Sequence, residues 1–306
     1  MKTKFWGCIF GAVMLASALQ SCQTRVEIPD GAIYPILFGS TESRAVAGLE
    51  DIKSGGFKVY AYFEGNKGSA SFAKDVKHAV VEGLDVWSFE TPEYWIPDTK
   101  YWFKAFYPTE LPAGKLTVNQ DTSAQNFTIE NFDVVNHQVD IMLAEATASV
   151  DKGATAPESG SVVNLTFQHL LACIEVQMKS AISNVSITKI TLENAKNKAT
   201  YKDGTWTADD SDDIEITPTN GSLSSTDYTS VTNDGILVIP GSSSGKSFYI
   251  ETNINKTFRV PIPEKTWTKG NKYTYTAEIK QNNIVFNEPT VDEWDSENAT
   301  GSVIIK

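Results

Sequence analysis

Along most of the chain, apolar and polar positions alternate with a period of two. "FKVYAYF" sets Phe57, Val59, Ala61 and Phe63 against Lys58, Tyr60 and Tyr62. "KYWFKAFYP" alternates again and stops at Pro108. The habit returns in "VVNLTF", "VSITKITL", "GILVIPG", "KSFYIETNI", "KTFRVPIP" and "KYTYTAEIK". β-branched and aromatic residues fill these runs. Gly, Asn, Asp and Pro stand between them, which predicts strands joined by turns. No amphipathic helix of ordinary length interrupts the pattern. The chain is expected to be all-β, and closely spaced strands of this kind suggest antiparallel β-sandwiches.

One run breaks its own rhythm. In "SVVNLTFQHLLACIEVQMK", Val163, Leu165 and Phe167 are odd-numbered, whereas Ile174, Val176 and Met178 are even-numbered. A strand cannot change parity without turning its side chains to the other face. A turn, bulge or corner is therefore expected around His169–Ala172. Just upstream, "TASVDKGATAPESGS" (147–161) has no periodicity and is rich in Ala, Ser, Thr, Gly and Pro. It reads as a linker or long loop, dividing the chain into domains at 45–150 and 160–306.

The beginning of the chain does not follow the strand pattern. Lys2 and Lys4 precede an uncharged, mostly apolar run from Phe5 to Leu19. That run is shorter than the roughly 20 residues a spanning helix needs. It fits a secretory signal over residues 1–21. The cysteines are Cys8 inside that signal, Cys22 at its end and Cys173 among apolar neighbours. No pair is left for a structural disulfide, so stability must come from the core. Leu19-Gln20-Ser21-Cys22 resembles a bacterial lipoprotein box, with Gln20 atypical at its position. Cys22 is accordingly the expected lipidation site, and its acyl chains would hold the protein at a membrane surface.

Charge narrows the partners. The 306-residue chain carries a formal net charge of −12. Such acidity disfavours nucleic acid and anionic membrane surfaces, so attachment must rest on lipid and not on charge.

Candidate chemistry is thin. "GSSSG" (241–245) matches the nucleophile elbow of hydrolases, but a strand follows where a helix is needed, and no histidine lies after His169. "ADDSDDIE" (208–215) spaces Asp209, Ser211 and Asp213 like calcium ligands. Ile214 and Asn220 occupy the places where a calcium loop needs Gly and Glu. His78, His137 and His169 have no metal-ligand spacing. No metal, cofactor or enzymatic activity is expected. Trp87, Trp95, Trp102, Trp206, Trp267 and Trp294 could form a sugar platform, but their strand contexts favour packing.

Taken together, the residues resemble the fimbrillin-like family, subunits of type V pili in Gram-negative anaerobes. "VDIMLAEA" (139–146) and "VNLTFQHLLACIEVQM" (163–178) carry the likeness, including the parity change at His169. "TWTKGNKYTYTAEI" (266–279) and "PTVDEWD" (289–295) resemble the family's closing hairpin and terminal stretch. The resemblance implies two antiparallel β-sandwich domains in tandem, of transthyretin-like, Greek-key type. It implies a lipoprotein precursor at the outer membrane and cell surface, with other fimbrial subunits as partners. An arginine-specific or trypsin-like protease would cut after the first strand, and a neighbour's strand would fill the groove.

Projected onto this chain, residues 22–44 form a propeptide with a removable strand that includes Ile33, Ile36 and Phe38. Arg44 and Ala45 would flank the cut. Two C-terminal stretches could donate a strand: "NNIVF", through Ile284 and Phe286, and "GSVIIK", through Val303 and Ile305. Each could equally be an ordinary strand of the second domain. The resemblance also allows an adhesion target on host or bacterial cells. The alternative is a monomeric surface lipoprotein that binds glycan or a host protein.

Overall fold

The structure, a computed structural model, describes residues 34–41, 49–81, 84–119, 127–158, 162–208, 210–233, 235–281 and 283–294. Every alternating run quoted above contributes a strand. The earlier strands are β1 (Leu37–Thr41), β2 (Phe57–Gly65), β3 (Gly68–Val81), β4 (Leu84–Phe89), β5 (Thr99–Tyr107), β6 (Lys115–Val118), β7 (Phe127–Phe132), β8 (Met142–Val150), β9 (Val162–Thr166) and β10 (Gln168–His169). A short helix, α1 (Leu49–Gly55), buries Ile52 in the first core. It ends at Gly56, whose φ is +69° and where a Cβ would lie 2.2 Å from the Val76 carbonyl oxygen. Only glycine fits such a left-handed stop.

Eight of these strands form one sheet in the order β10-β8-β5-β2-β3-β4-β1-β9. β9 and β10 are separated only by Phe167, so both edges of the sheet end on the single segment 162–169. The sheet thus curls round on itself and encloses its own core. Inward positions of period two supply that core: Phe38, Phe57, Trp87, Phe89, Trp95, Tyr101, Phe103 and Phe167.

The later strands are β11 (Ala172–Ser180), β12 (Ile187–Asn197), β13 (Ala199–Lys202), β14 (Thr205–Thr207), β15 (Asp210–Ile216), β16 (Thr229–Ser230), β17 (Ile236–Val238), β18 (Gly241–Ser242), β19 (Ser247–Thr252), β20 (Thr257–Pro261), β21 (Thr266–Trp267), β22 (Asn271–Lys280), β23 (Asn283–Phe286) and β24 (Thr290–Glu293). A sheet centred on β11 and β22 faces the sheet β15-β12-β19-β20. Between them lies a second core that includes Ile174, Val176, Leu192, Phe248, Ile250 and Tyr275.

A third core ties the halves together. The sheet β14-β13-β7-β6 takes two strands from each half. Phe106, Phe127, Ile129 and Phe132 meet Leu170, Leu171, Ala199 and Tyr201 inside it.

Three expectations change in detail. The chain is all-β, but β1 runs parallel to β9, and β11 parallel to β22. Parallel neighbours need long crossovers, and here other strands of the fold provide them. The change of sheet falls at Leu170–Leu171, not at the 150/160 boundary, because β9 and β10 return to the first sheet. Part of the supposed linker is β8, where Ala144, Ala146 and Ala148 pack as small inward residues. The parity change at His169–Ala172 is the step between cores. Val163, Leu165 and Phe167 face the first core, and Ala172, Ile174 and Val176 face the second.

Each large core contains a buried phenol. Tyr101 accepts a hydrogen bond from the Ile96 amide at 2.9 Å, and Tyr275 accepts one from Trp267 Nε1 at 3.0 Å. Burial pushes both pKa values up to about 12. An unfolded phenol titrates near 10, so the stability linked to these groups is complete below about pH 10 and is lost as pH climbs. An alkaline unfolding transition running from about pH 10 towards 12 is expected, with tyrosinate absorbance from these two rings appearing alongside it. Ionisation of all tyrosines near pH 10 without unfolding would contradict this.

Candidate functional site at the first strand

β1 lies inside the sheet, not at its edge. It pairs antiparallel with β4 through Phe38 and Trp87, and parallel with β9 from Leu37–Val162 to Thr41–Thr166. Pro35 has no N–H to give a ladder, a property suited to an edge strand. It instead precedes the doubly paired part, in an isolated bridge to Tyr94. There the Ile36 amide donates to the Glu93 carbonyl at 2.7 Å, and the Trp95 amide donates to the Tyr34 carbonyl at 3.1 Å. No bond at that point needs the N–H that proline lacks.

The side chains from Ile36 to Phe38, where β1 begins, are inserted deeply. Ile36 is 2% exposed, and Phe38 is fully buried. The Phe38 ring meets Phe103, Phe89 and Phe57 edge-on, at centroid distances of 5.4, 5.6 and 6.3 Å. Each such aromatic pair contributes about 0.5–1.5 kcal/mol beyond its buried area. Leu37 points the other way and is also buried, against Ala79, Val81, Val86 and Val162. Beyond Phe38 the slot narrows. A Cβ on Gly39 would lie 2.8 Å from Asn164 Oδ1 and 3.3 Å from Val162 Cγ1.

Of the residues expected to form the site, Phe38 lies in β1 and Ile36 immediately precedes that strand. Ile33, Cys22, Arg44, Ala45, Val303 and Ile305 lie outside the described residues. Ile284 and Phe286 lie in β23, paired to β22 and buried at 4% and 6% exposure. Phe286 packs on Phe248 at 5.1 Å. To donate itself elsewhere, this segment would have to leave its own core.

The other motifs fall into structural places. In "GSSSG", Ser243 Oγ donates to the Pro263 carbonyl at 3.0 Å and accepts the Lys265 amide at 2.7 Å, and the strand β19 follows. The acidic stretch from Asp210 onward lies in the edge strand β15, whose Asp213 accepts the Asn194 amide at 2.9 Å, while Asp209 lies outside the described residues. Charged side chains on an edge discourage unwanted pairing. Trp87, Trp95, Trp267 and Trp294 are core residues. Trp206 Nε1 donates to the Leu170 carbonyl at 2.7 Å. Trp102 lies against Tyr62, with the Lys100 ammonium 4.7 Å from its ring centroid.

Sequence reasoning missed one buried cluster. His169 Nδ1 is 2.7 Å from Asp140 Oδ2, and the imidazole stacks on Trp294 at 4.2 Å. Asp140, His169 and Trp294 are all nearly inaccessible. They join the segment leading into β8, the closing segment 162–169 and the end of the described chain. The residues lie in the quoted stretches "VDIMLAEA", "VNLTFQHLLACIEVQM" and "PTVDEWD", but no spacing rule brings the three together.

A family model described as fimbrillin-like matches residues 44–294. No curated protein matches the chain. Among solved structures, a candidate cell adhesion protein from Bacteroides uniformis is similar with a TM-score of 0.56 at 17% identity, covering 85% of this chain and 99% of its own. A fimbrial protein from Bacteroides vulgatus gives 0.54 at 19% identity, covering 84% and 99%. A candidate cell adhesion protein from Bacteroides ovatus gives 0.53 at 15% identity, covering 88% and 100%. At such identities these likenesses establish the fold. The family model spans most of the length, and the chain belongs to the fimbrillin-like family.

Proposed function

We propose that this chain is a structural, adhesive fimbrial subunit, delivered to the outer membrane as a lipoprotein through Cys22 and assembled by exchange of its first strand. The observation that carries the reading is the position of β1. It fills the sheet between β4 and β9, and Phe38 completes the core. A cut between Arg44 and Ala45 would sever β1 from the rest of the chain. Its departure would leave the facing amides and carbonyls of β4 and β9 unpaired, together with an apolar slot. Buried backbone groups need partners, so the slot would bind an extended strand strongly. A strand supplied by the next subunit makes a head-to-tail contact that does not close, which yields a filament.

Arginine is scarce, which favours Arg44 as the processing point. The others are Arg25, ahead of β1, and Arg259 on β20, bonded to Glu193 at 2.7 Å. The partners on this reading are other fimbrial subunits, the processing protease, the outer membrane through the lipid, and an adhesion target. The alternative of a monomeric glycan-binding lipoprotein gains little support, because most of the tryptophans are used in packing.

The Arg44→Ala chain is expected to stay lipid-anchored and to give no detergent-resistant ladder. Surface material from the unaltered chain should begin at Ala45. Polymers of normal length from Arg44→Ala, or surface polymers that begin at acylated Cys22, would overturn the reading.

A further inference from the structure

We propose that the outer face of β2, β5 and β8 carries a binding site for a neutral oligosaccharide. Trp102 is its stacking platform, and a polar cleft at the end of the first sheet supplies its hydrogen bonds. The site lies away from β1 and does not depend on strand exchange.

The outer face of these three strands is divided. At one end Tyr60, Phe106 and Leu143 pack into the third core. Towards the other end, side chains form two rows across the sheet. The first is Ser71, Tyr62, Trp102 and Thr147, and the second is Ser69, Glu64, Lys100 and Ser149. Successive rows on one face are about 7 Å apart. Apart from the two rings, all of these residues are exposed. An aromatic pair thus stands in the middle of a polar surface. Neither ring belongs to the apolar cores, and Trp102 is partly exposed. The pair is held in place. Tyr62 and Trp102 have ring centroids 5.6 Å apart at 45°, and the Tyr62 hydroxyl donates to Glu64 Oε2 at 3.1 Å. The ammonium of exposed Lys100 lies 4.7 Å from the indole centroid. A long, solvated side chain of this kind can swing aside for a ligand.

The second row opens into a cleft of about 640 Å³, lined by Glu64, Asn66, Asp98, Lys100, Ser149 and Asp151, among others. Three turns build the cleft, and they are tied together. The Asn66 side-chain amide donates to the Asp98 carboxylate, and the Asp98 backbone amide donates to the Asp151 carbonyl at 3.4 Å. A Cβ on Gly65 would lie 2.3 Å from the Asp98 carbonyl oxygen, so glycine is what lets these turns approach. The cleft is therefore formed in the free chain.

The lining selects the ligand. Carboxylate, amide, hydroxyl and ammonium groups offer both acceptors and donors, with little for an apolar molecule. Glu64, Asp98 and Asp151 against Lys100 and Lys152 leave one negative charge, which gives no hold on an anion. A pyranose suits both parts. Its hydroxyls pair with the cleft, and its C–H face lies on the indole. Glu64 and Lys100 border the platform and the cleft alike, so one short run of linked sugars reaches both.

The full, uncut chain is titrated with neutral trisaccharides, with and without N-acetyl groups, and with a sialylated one, by calorimetry and tryptophan fluorescence. A neutral trisaccharide should bind and change the fluorescence; an N-acetylated ligand would indicate an amino-sugar glycan, and an unsubstituted one a plain glucan. Trp102→Ala and Glu64→Gln should each weaken that binding about tenfold or more, with denaturant unfolding unchanged. If Trp102→Ala unfolds early, Glu64→Gln decides, because it alters one exposed side chain. Binding of the sialylated sugar alone would overturn the neutral class. Absence of binding by every sugar, or binding that both variants leave unchanged, would overturn the site. Each of these outcomes leaves the strand-exchange reading standing.

Discussion

Phe38→Ala is expected to destabilise the chain by about 3–5 kcal/mol. The ring is fully buried and meets Phe57, Phe89 and Phe103 edge-on. Removing it forfeits its transfer free energy and leaves a cavity that three rings from different strands cannot collapse to fill. The surrounding closed sheet makes relaxation harder, because every strand near the cavity is held on both sides. Equilibrium denaturation of the uncut chain measures the loss. Val285→Thr, at a position 62% exposed, serves as the control and should stay within about 0.5 kcal/mol. A Phe38→Ala loss below about 1 kcal/mol would mean that β1 contributes little to the core, contrary to its geometry. The same variant should release β1 more readily after cleavage, since the strand would carry fewer contacts with the sheet.

Asp140→Ala is expected to cost about 1–3 kcal/mol. It removes the carboxylate that meets His169 at 2.7 Å in a site closed to water by Trp294. Breaking one side of a buried polar pair leaves the imidazole desolvated without that acceptor. Asp140→Asn keeps an oxygen for the Nδ1 proton and should cost clearly less. Because Trp294 stacks on the ring, its fluorescence should change in Asp140→Ala before global unfolding. Equal losses for Asn and Ala would show that the charge matters and the hydrogen bond does not. No loss in either variant would show that the cluster is not a structural joint.

Much of this architecture is written in local pattern. Phe57, Val59 and Ala61 announce a strand with one buried face, and β2 has that face. The shift from Val163, Leu165 and Phe167 to Ile174, Val176 and Met178 announces a corner, and the chain changes core there. The helix α1 escaped because seven residues are too few for a clear 3.6 period, and a glycine stop supplies much of its definition. "TASV" was missed as strand because inward alanines carry little hydrophobic signal. The polar trio of Asp140, His169 and Trp294 was not legible because its members meet only through folding, across separations no local rule spans.

The sequence by itself determined the class of structure, the positions of most strands and the stretches that carry the family likeness. Side-chain direction along a strand depends on neighbouring residues, so a single chain reveals it. Tertiary structure alone decided which strands are neighbours. It placed β1 between β4 and β9, closed the sheet on 162–169, and buried Leu37 as well as Ile36 and Phe38. Pairing is set by the packing of distant faces and by closure of backbone hydrogen bonds across the whole sheet. The local sequence "PILFG" contains none of that information.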